Sequence, residues 1–239
     1  MARLSIIVPV YNEAQTIEQV LDKVDAIEVG DLEKEVVVVD DGSTDGSAEL
    51  IASRMTRGIQ HRLSHLSIVN LGKGAAVRVG FKHATGDIIL IQDADLELDP
   101  NECGRLIAPI LEGRADVVYG SRFARKAPGI PLLTRWANRA LTTLTNVLFG
   151  CRLTDMETSY KAFRREVLQA IRLRCVHFDI EPEVTARVLQ AGYDIVEVPI
   201  SYNPRRKDEG KKLAWTDGID AVYTLLWCRF VRQHGRPAA

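Results

Sequence analysis

Strand and helix patterns alternate regularly through the first 120 residues of this chain. Short apolar runs rich in valine and isoleucine are separated by longer segments with apolar residues at helical spacing. This alternation predicts βαβ units, which place helices on both faces of a doubly wound, mostly parallel sheet. The expected fold class is therefore α/β. The strands predicted in this half are Leu4–Pro9, Val36–Asp40, Leu66–Val69, Gly86–Gln92 and Asp116–Tyr119.

Helices are expected between these strands. Asn12 belongs to the residue types that cap helix N-termini, and a helical pattern over about Glu13–Ile27 follows it. Ligands of such sheets bind beyond the carboxyl ends of the strands, so residues just after each strand are the candidates for a site. The later helices are predicted at Ala48–Met55, Gly74–His83 and Asn101–Leu111.

The second half of the chain is less regular. Two apolar segments with tryptophans and arginines, Pro131–Phe149 and Trp215–Phe230, suit helices that lie in a membrane interface, or ordinary core or dimer packing. A basic loop, Asn203–Lys212, precedes the second of them. Because no linker or repeat is evident, we predict a single domain over residues 1–239. The other predicted elements are strands Tyr160–Phe163 and Ile195–Ile200 and helices near Arg165–Ile171 and Pro182–Gln190.

The length and hydrophobic content of the chain fit one domain with a sizeable core. Its charged residues are distributed unevenly between the two halves. The chain has 239 residues, of which 46% are hydrophobic. Residues 1–100 carry 9 Lys and Arg against 17 Asp and Glu, whereas residues 101–239 carry 22 against 15. The asymmetry suits a metal site beside a surface for an anionic partner, although uneven solvated charge is the alternative.

Several classes of protein are disfavoured by the sequence. The four cysteines and five histidines lack the spacing of zinc sites or of a disulfide scaffold. No module of aromatic and basic residues indicates nucleic-acid binding. The N-terminus has only a strand-length apolar run, and no segment reaches the roughly 18 apolar residues that span a bilayer. We therefore expect no signal peptide and a soluble or membrane-peripheral protein.

Three acidic residues directly follow the predicted strand Gly86–Gln92. Asp93 and Asp95 are two positions apart, and Glu97 comes two positions later. Hard divalent cations such as Mg²⁺ and Mn²⁺ prefer oxygen ligands and take one or two protein carboxylates together with water and substrate phosphates. The stretch thus indicates a metal site, with a solvated turn as the alternative.

Other strand ends add polar residues to the same edge. Asp40 and Asp41 end a valine-rich strand and could bind the base or ribose of a nucleoside, or could cap a βα turn. Lys73 lies in Gly72-Lys73-Gly74, where the Ser or Thr that a P-loop requires is missing, so a P-loop NTPase is disfavoured. Lys73 could still contact phosphates as a point charge, or be solvated.

Seven short motifs follow one another along the chain. They are Pro9-x-Tyr11-Asn12-Glu13, Asp40-Asp41-Gly-Ser-x-Asp45, Gly72-Lys-Gly-x-Ala-x-Arg78-x-Gly80, Gly86-Asp87, Asp93-x-Asp95, Gly120-Ser121-Arg122-Phe123 and Thr154-Asp155-Met-Glu-Thr-Ser-Tyr160-Lys-Ala-Phe163. In this order they resemble family-2 glycosyltransferases of GT-A fold, and are most similar to dolichyl- or polyprenyl-phosphate hexose synthases. The resemblance covers about residues 4–213.

This resemblance implies roles for individual residues. Asp93, Asp95 and Glu97 would hold Mg²⁺ or Mn²⁺; Arg122 would meet a phosphate group, and Asp155 would lie near the acceptor. About 1–120 would be the nucleotide-sugar-binding half and about 121–239 the acceptor-binding half. Two departures are Ser159, where the family usually has Gly or Cys, and the lack of the transmembrane helices that many relatives carry. The expected donor-binding residues are Pro9, Tyr11, Glu13, Asp40, Asp41, Lys73, Asp93, Ala94, Asp95, Arg205 and Lys211.

The activity implied is an inverting, metal-dependent transfer of mannose or glucose from GDP-mannose or UDP-glucose. The expected acceptor is polyprenyl or dolichyl phosphate at the cytosolic face of a membrane, with Asp155, Asp95 and Arg122 as the catalytic residues. With this acceptor, Asp155 is expected to be a positioning group or a weak base. A lipid phosphate is already charged and needs orienting arginines, whereas a sugar hydroxyl would require Asp155 as a base. Transfer to a sugar hydroxyl is therefore one alternative, and a non-catalytic nucleotide-sugar sensor is another. A homo-oligomer is compatible with the sequence.

Overall fold

One seven-stranded sheet contains strands from both halves of the chain. The computed structural model describes residues 2–55, 61–124, 129–205 and 215–231. Across the sheet the strands lie in the order β3-β2-β1-β4-β6-β5-β7. Their bounds are β1 Arg3–Val10, β2 Glu33–Asp40, β3 His61–Leu66, β4 Ile88–Ile91, β5 Val117–Ser121, β6 Lys161–Arg164 and β7 Ile195–Pro199.

Six of the seven strands are parallel to at least one neighbour, and β6 is the exception. β1 pairs in parallel with β2 and β4, β2 with β3, and β5 with β7. β6 lies between β4 and β5 and is antiparallel to both. The residues that precede β6 therefore lie at the same edge of the sheet as the residues that follow β4 and β5. The expectation of a mostly parallel α/β sheet is confirmed.

Helices cover both faces of the sheet. Alternate residues of the strands point to opposite faces, so Ile6 and Val8 of β1 pack in one apolar cluster and Ile7 in another. The first cluster includes buried residues of α1 and α4, and the opposite face is covered by α3, α6 and α7. The helices are α1 Ile17–Ala26, α2 Ser47–Met55, α3 Lys73–His83, α4 Cys103–Leu111, α5 Leu132–Phe149, α6 Arg165–Ala170, α7 Ile180–Gln190 and α8 Trp215–Phe230.

The last two long helices, α5 and α8, pack against each other beside this sandwich. Buried Leu225 of α8 joins Leu153 and Met156, and residues of α5 pack against them. Among the described residues, no helix is long and apolar enough to cross a bilayer. Large apolar side chains nonetheless stay exposed on both helices.

Most predicted elements agree with the structure to within about two residues, but the strand predicted at Leu66–Val69 is wrong. β3 ends at Leu66, and its last pairing is with Asp40 of β2. Beyond that point the chain leaves the sheet, so Ile68 is 98% exposed and Val69 is 57% exposed. The apolar residues of Leu66–Val69 predict a strand, but local hydrophobicity does not report which segment of the chain pairs with β2.

Asn12 is also not the N-cap of α1. Its φ of 51° places it in the left-handed region, and α1 begins later, at Ile17. The Asn12 side chain instead accepts a hydrogen bond from the backbone N–H of Thr44, 2.8 Å away. A contact with the loop after β2 therefore replaces the predicted capping contact.

Candidate functional site

A cavity of about 550 Å³ opens at the edge of the sheet where the parallel strands end. The loops after β1, β2, β4 and β7 meet there with the N-termini of α3 and α7 and the segment before β6. The prediction that strand-end residues converge is thus confirmed for most of them. The sequence-predicted residues that line the cavity are Pro9, Tyr11, Glu13, Asp41, Lys73, Asp93, Ala94, Asp95, Glu97, Arg122 and Arg205.

Three predicted residues do not line it. Asp40 is buried, and one of its carboxylate oxygens accepts a hydrogen bond from the backbone of Ser43. Asp155 is fully buried behind Arg122. Lys211 lies outside the described residues, so its assignment stays a prediction.

The loops after β1 and β2 are joined by hydrogen bonds. The backbone N–H of Asn12 donates to Ser43 Oγ at 2.9 Å, and that of Glu13 donates to Ser47 Oγ at 2.9 Å. Asp45 accepts a bond from the backbone of Ala14 at 3.0 Å. These contacts hold the two strand-end loops as one wall of the cavity.

Asp41 fixes the next part of this wall. Its carboxylate accepts bonds from the backbone N–H groups of Leu71 (3.0 Å) and Gly72 (2.6 Å). Gly72 has φ 104°, and a Cβ there would collide with the carbonyl oxygen of Val176, so only glycine suits this position. Burial raises the pKa of Asp41 despite the two hydrogen bonds, and its carboxylate faces the cavity as an acceptor.

Lys73, at the start of α3, joins two acidic residues of the site. Its Nζ lies 2.9 Å from Asp93 Oδ1 and 3.1 Å from Glu181 Oε1. Ser159 Oγ donates a short hydrogen bond to the other oxygen of Asp93. Burial is the largest single influence and would raise the pKa of Asp93, but the charge of Lys73 and the hydrogen bonds from Ser159 and Lys73 together outweigh it, so the pKa is lowered. Asp93 is therefore an ionised carboxylate on the cavity wall.

Arg205 lies beside Asp95, the second carboxylate of the pair formed by Asp93 and Asp95 (the acidic pair). Its guanidinium contacts Glu13 Oε2 at 2.6 Å and lies 3.7 Å from Asp95 Oδ2. Glu97 accepts hydrogen bonds from Tyr202 Oη and from the backbone N–H of Arg205, both at 2.8 Å. Both Glu97 oxygens thus anchor the segment after β7, and the assignment of Glu97 as a metal ligand stays a prediction.

The acidic pair fits a divalent cation. Within the described ranges no three His, Cys, Asp or Glu side chains are grouped for metal binding, but Mg²⁺ and Mn²⁺ need only one or two carboxylates beside a substrate phosphate. Burial and the negative charges of Asp93 and Glu97 raise the pKa of Asp95 to about 7. This excess of negative charge is what a cation shared by Asp93 and Asp95 would relieve.

Arg122, just after β5, is held by a buried carboxylate. Asp155 accepts bonds from Arg122 Nε at 2.7 Å, from Nη2 at 2.8 Å and from the backbone N–H at 3.0 Å. Glu197 in turn accepts the backbone N–H of Asp155 at 2.9 Å. Arg122 also stacks over the ring of Tyr202, with 5.2 Å between guanidinium and centroid. The guanidinium is therefore fixed in orientation at the cavity wall.

Several cavity residues were not assigned roles from the sequence. Glu157 lies between Asp155 and Ser159 inside the motif that begins at Thr154, but the motif alone assigns it no role. Glu181 and Tyr202 carry no local pattern that distinguishes them from ordinary helix and loop residues. The only signal for Tyr202 was its place before the basic loop. The unassigned lining residues are Val10, Asn70, Gly72, Ala76, Thr134, Asn138, Glu157, Ser159, His177, Phe178, Glu181 and Tyr202.

Comparison with solved structures identifies the fold class. Glucosyl-3-phosphoglycerate synthase from Mycobacterium tuberculosis, in complex with Mn²⁺, uridine-diphosphate and phosphoglyceric acid, superposes with a TM-score of 0.74. The match covers 98% of this chain and 80% of that one at 23% identity. The same enzyme with Mg²⁺ and uridine-diphosphate gives a TM-score of 0.72. The chain therefore has the GT-A fold, as the resemblance implied.

Comparison of sequences shows the family. The sequence profile of Glycosyl transferase family 2 matches residues 5–172, and this chain belongs to that family of glycosyltransferases. The undecaprenyl-phosphate 4-deoxy-4-formamido-L-arabinose transferases of Salmonella choleraesuis (strain SC-B67) and Salmonella newport (strain SL254) are each 30% identical to it over 227 residues. These matches cover 95% of this chain and 67% of each relative.

Proposed function

We propose that this glycosyltransferase transfers a hexosyl group, mannosyl or glucosyl, from GDP-mannose or UDP-glucose to polyprenyl or dolichyl phosphate. The transfer inverts the anomeric configuration. The Salmonella relatives, named for transfer to undecaprenyl phosphate, support the class of acceptor. The structural neighbours, solved with uridine-diphosphate and Mn²⁺ or Mg²⁺, support a nucleotide-sugar donor and a divalent cation.

The proposal rests on one observation: Asp155 holds the guanidinium of Arg122 in a fixed orientation at the cavity wall. Asp155 is fully buried and its carboxylate is bonded to Arg122, so it is poorly placed to remove a proton from a hydroxyl acceptor. A phosphate monoester carries about −1.5 to −2 charge near neutral pH, and it can attack without a strong base. It needs a positioned cation that offsets repulsion from the donor, and Arg122 supplies one.

The donor side of the cavity is arranged for a leaving diphosphate. A cation bound by Asp93 and Asp95 would neutralise the negative charge that grows on the departing phosphate. Lys73 is held beside Asp93 and adds a positive charge at the same point. Asp41 and the loop around Tyr11 also line the cavity and would hold the nucleoside of the donor. Interactions that strengthen as charge develops lower the barrier more than they stabilise the bound donor.

We further propose that α5 docks on the cytosolic face of a membrane. Leu132, Leu133 and Trp136 are 71%, 83% and 68% exposed and form one stripe at the start of the helix. Thr134 and Asn138, on the opposite side of the same turns, line the cavity. A helix with this stripe and arginines beside it suits an interfacial position. Such docking would bring the lipid's phosphate to Arg122 while its chain stays in the bilayer.

Transfer assays test the proposal. The protein is incubated with Mn²⁺, labelled UDP-glucose or GDP-mannose, and either undecaprenyl phosphate or an oligosaccharide. Label is expected in the lipid, and chelation of the metal is expected to abolish its incorporation.

Asp95→Asn should lower the rate of transfer at least about tenfold, because a transition-state contact worth about 1.4 kcal/mol or more is lost. Asp22→Asn, with a 69% exposed side chain, is the control. Label only in the oligosaccharide would refute the lipid acceptor.

A further inference from the structure

Glu157 is held at the cavity wall by a buried lysine. It lies in the segment between α5 and β6, where its neighbours Met156 and Thr158 are fully buried while Glu157 lines the cavity. Lys161 Nζ donates hydrogen bonds to the carbonyl oxygens of Met156 (3.0 Å) and Thr158. The backbone on both sides of Glu157 is thereby fixed, so its side chain is presented to the cavity rather than being a mobile loop residue.

Within the described part of the chain, one oxygen of the Glu157 carboxylate lacks the kind of partner that its acidic neighbours have. Asp155 is paired with Arg122, and Glu181 is paired with Lys73. Glu157 Oε1 is buried and has no hydrogen-bond partner among the described residues. Burial and the charge of Glu181 raise the pKa of Glu157 to about 7. An unsatisfied buried acceptor is costly, and a hydrogen-bond donor from a ligand would remove that cost.

The place of Glu157 in the cavity indicates which ligand group would supply that donor. Ser159, two residues later, bonds to Asp93 at the diphosphate end of the proposed site. Asp155, two residues earlier, holds Arg122 at the acceptor end. Glu157 lies within electrostatic reach of both Arg122 and Glu181, and Glu181 is the ion-pair partner of Lys73. It therefore lines the cavity between the two proposed ends, where the sugar being transferred must be.

We infer that Glu157 recognises the sugar ring of the donor by accepting a hydrogen bond from a ring hydroxyl. The inference rests on the proposed nucleotide-sugar donor and adds a specificity-determining residue to it. The terminal torsion of a glutamate side chain is broad, so either oxygen can turn to the ligand at little cost. A neutral, hydroxyl-bearing glycosyl group is the ligand class that this acceptor suits.

Calorimetric titration without acceptor tests the inference. Wild type, Glu157→Gln and Glu157→Ala are titrated with UDP, GDP, UDP-glucose and GDP-mannose in the presence of Mn²⁺. Glu157→Ala, which removes the acceptor, is expected to weaken binding of the sugar nucleotide about tenfold or more. Glu157→Gln keeps an amide oxygen that can accept the bond and should weaken binding less than Glu157→Ala does. Affinity for the free nucleotide should stay within about twofold. The exposed Glu166→Gln is the matched control.

Each other outcome overturns the inference in a distinguishable way. Equal losses for nucleotide and sugar nucleotide would show a structural role, as would a marked fall in the unfolding free energy of Glu157→Gln. Unchanged donor affinity with a lower kcat would show that Glu157 acts on the acceptor. A wild type that binds neither donor more tightly than its free nucleotide would also refute it. Because no acceptor is present, transfer to the wrong acceptor would overturn the proposed function alone.

Discussion

Asp155 shows how the partner of a single residue decides its role. In sequence it is an acidic residue in a motif and was predicted to act near the acceptor. In the structure it is fully buried, with three hydrogen bonds from Arg122 and none of its surface on the cavity. This geometry favours a positioning role through Arg122, and direct participation in catalysis stays an untested prediction.

Asp155→Asn tests this role against a matched surface pair. Removing the charge leaves the Arg122 guanidinium without its counter-ion in a buried position, so the unfolding free energy should fall by about 3 kcal/mol. Asp116→Asn changes a more exposed ion pair with Arg164, whose Nε–Oδ distance of 2.8 Å is close to the 2.7 Å of the Arg122–Asp155 pair. It should cost about 1 kcal/mol or less. Denaturant unfolding measures both.

Activity gives the second readout for the same variants. The rate of transfer by Asp155→Asn should fall at least about tenfold, because Arg122 is no longer oriented toward the acceptor phosphate. Binding of the donor should be retained, since Asp155 does not touch the donor side. A variant with full activity and lower stability would contradict the positioning role.

At the scale of elements, the direction of β6 is what completes the site. β6 runs antiparallel between β4 and β5, so its N-terminal approach brings residues 155–159 to the edge where the parallel strands end. A parallel strand in the same place would have put these residues at the far edge of the sheet. The sequence predicted a strand at Tyr160–Phe163 but not its direction, because periodicity carries no information about strand polarity.

Packing of α3 on the sheet leads to a prediction about two helical glycines. A Cβ at Gly80 would collide with the side chain of Ile7 in β1, whereas a Cβ at Gly104 in α4 meets nothing within 4 Å. Gly80→Ala should lower the unfolding free energy by about 1–3 kcal/mol through overpacking. Gly104→Ala should raise it by about 0.5–1 kcal/mol, because alanine loses less backbone entropy in a helix. Urea unfolding of both variants checks the difference in sign.

The exposed stripe on α5 predicts membrane docking by one end of the helix. The double variant Leu133→Ser, Trp136→Ser should reduce co-sedimentation with anionic vesicles about tenfold or more, because each large side chain contributes about 1.5–3 kcal/mol when buried. Val147→Ser, at the other end of α5 and 76% exposed, should bind as the wild type does. Equal binding by all three proteins would refute the docking surface. Formation of a dimer that depends on Trp136 would point to a second copy instead.

For the whole molecule, the cavity depends on a contact between residues far apart in the chain, Glu13 and Arg205. Arg205 bridges Glu13 and the acidic pair across 192 residues of sequence. Glu97 holds the backbone at Arg205 and the hydroxyl of Tyr202, so the segment after β7 is attached to the loop after β4. The first and second halves of the chain are thereby connected directly at the site.

Arg205→Ala is expected to affect stability and donor binding together. Its loss removes the guanidinium that contacts Glu13 at 2.6 Å and should cost about 1–3 kcal/mol of unfolding free energy. Donor affinity should fall as well, because a positive charge near the diphosphate is removed. Arg105→Ala, which breaks a more exposed contact with Glu102, is the control and should leave donor affinity unchanged. Calorimetry and denaturant unfolding separate the two effects.

Local pattern determined the α/β class, most element positions and the acidic stretch at Asp93–Glu97, because hydrophobic spacing reports which faces become buried. The motif order also determined the family. Only the tertiary structure decided that Asp155 is bound to Arg122, that Glu157 Oε1 has no hydrogen-bond partner among the described residues and that residues 67–69 leave the sheet. These outcomes depend on strand direction and on distances between residues far apart in the chain, and a charged side chain shows its role only when its partner is known.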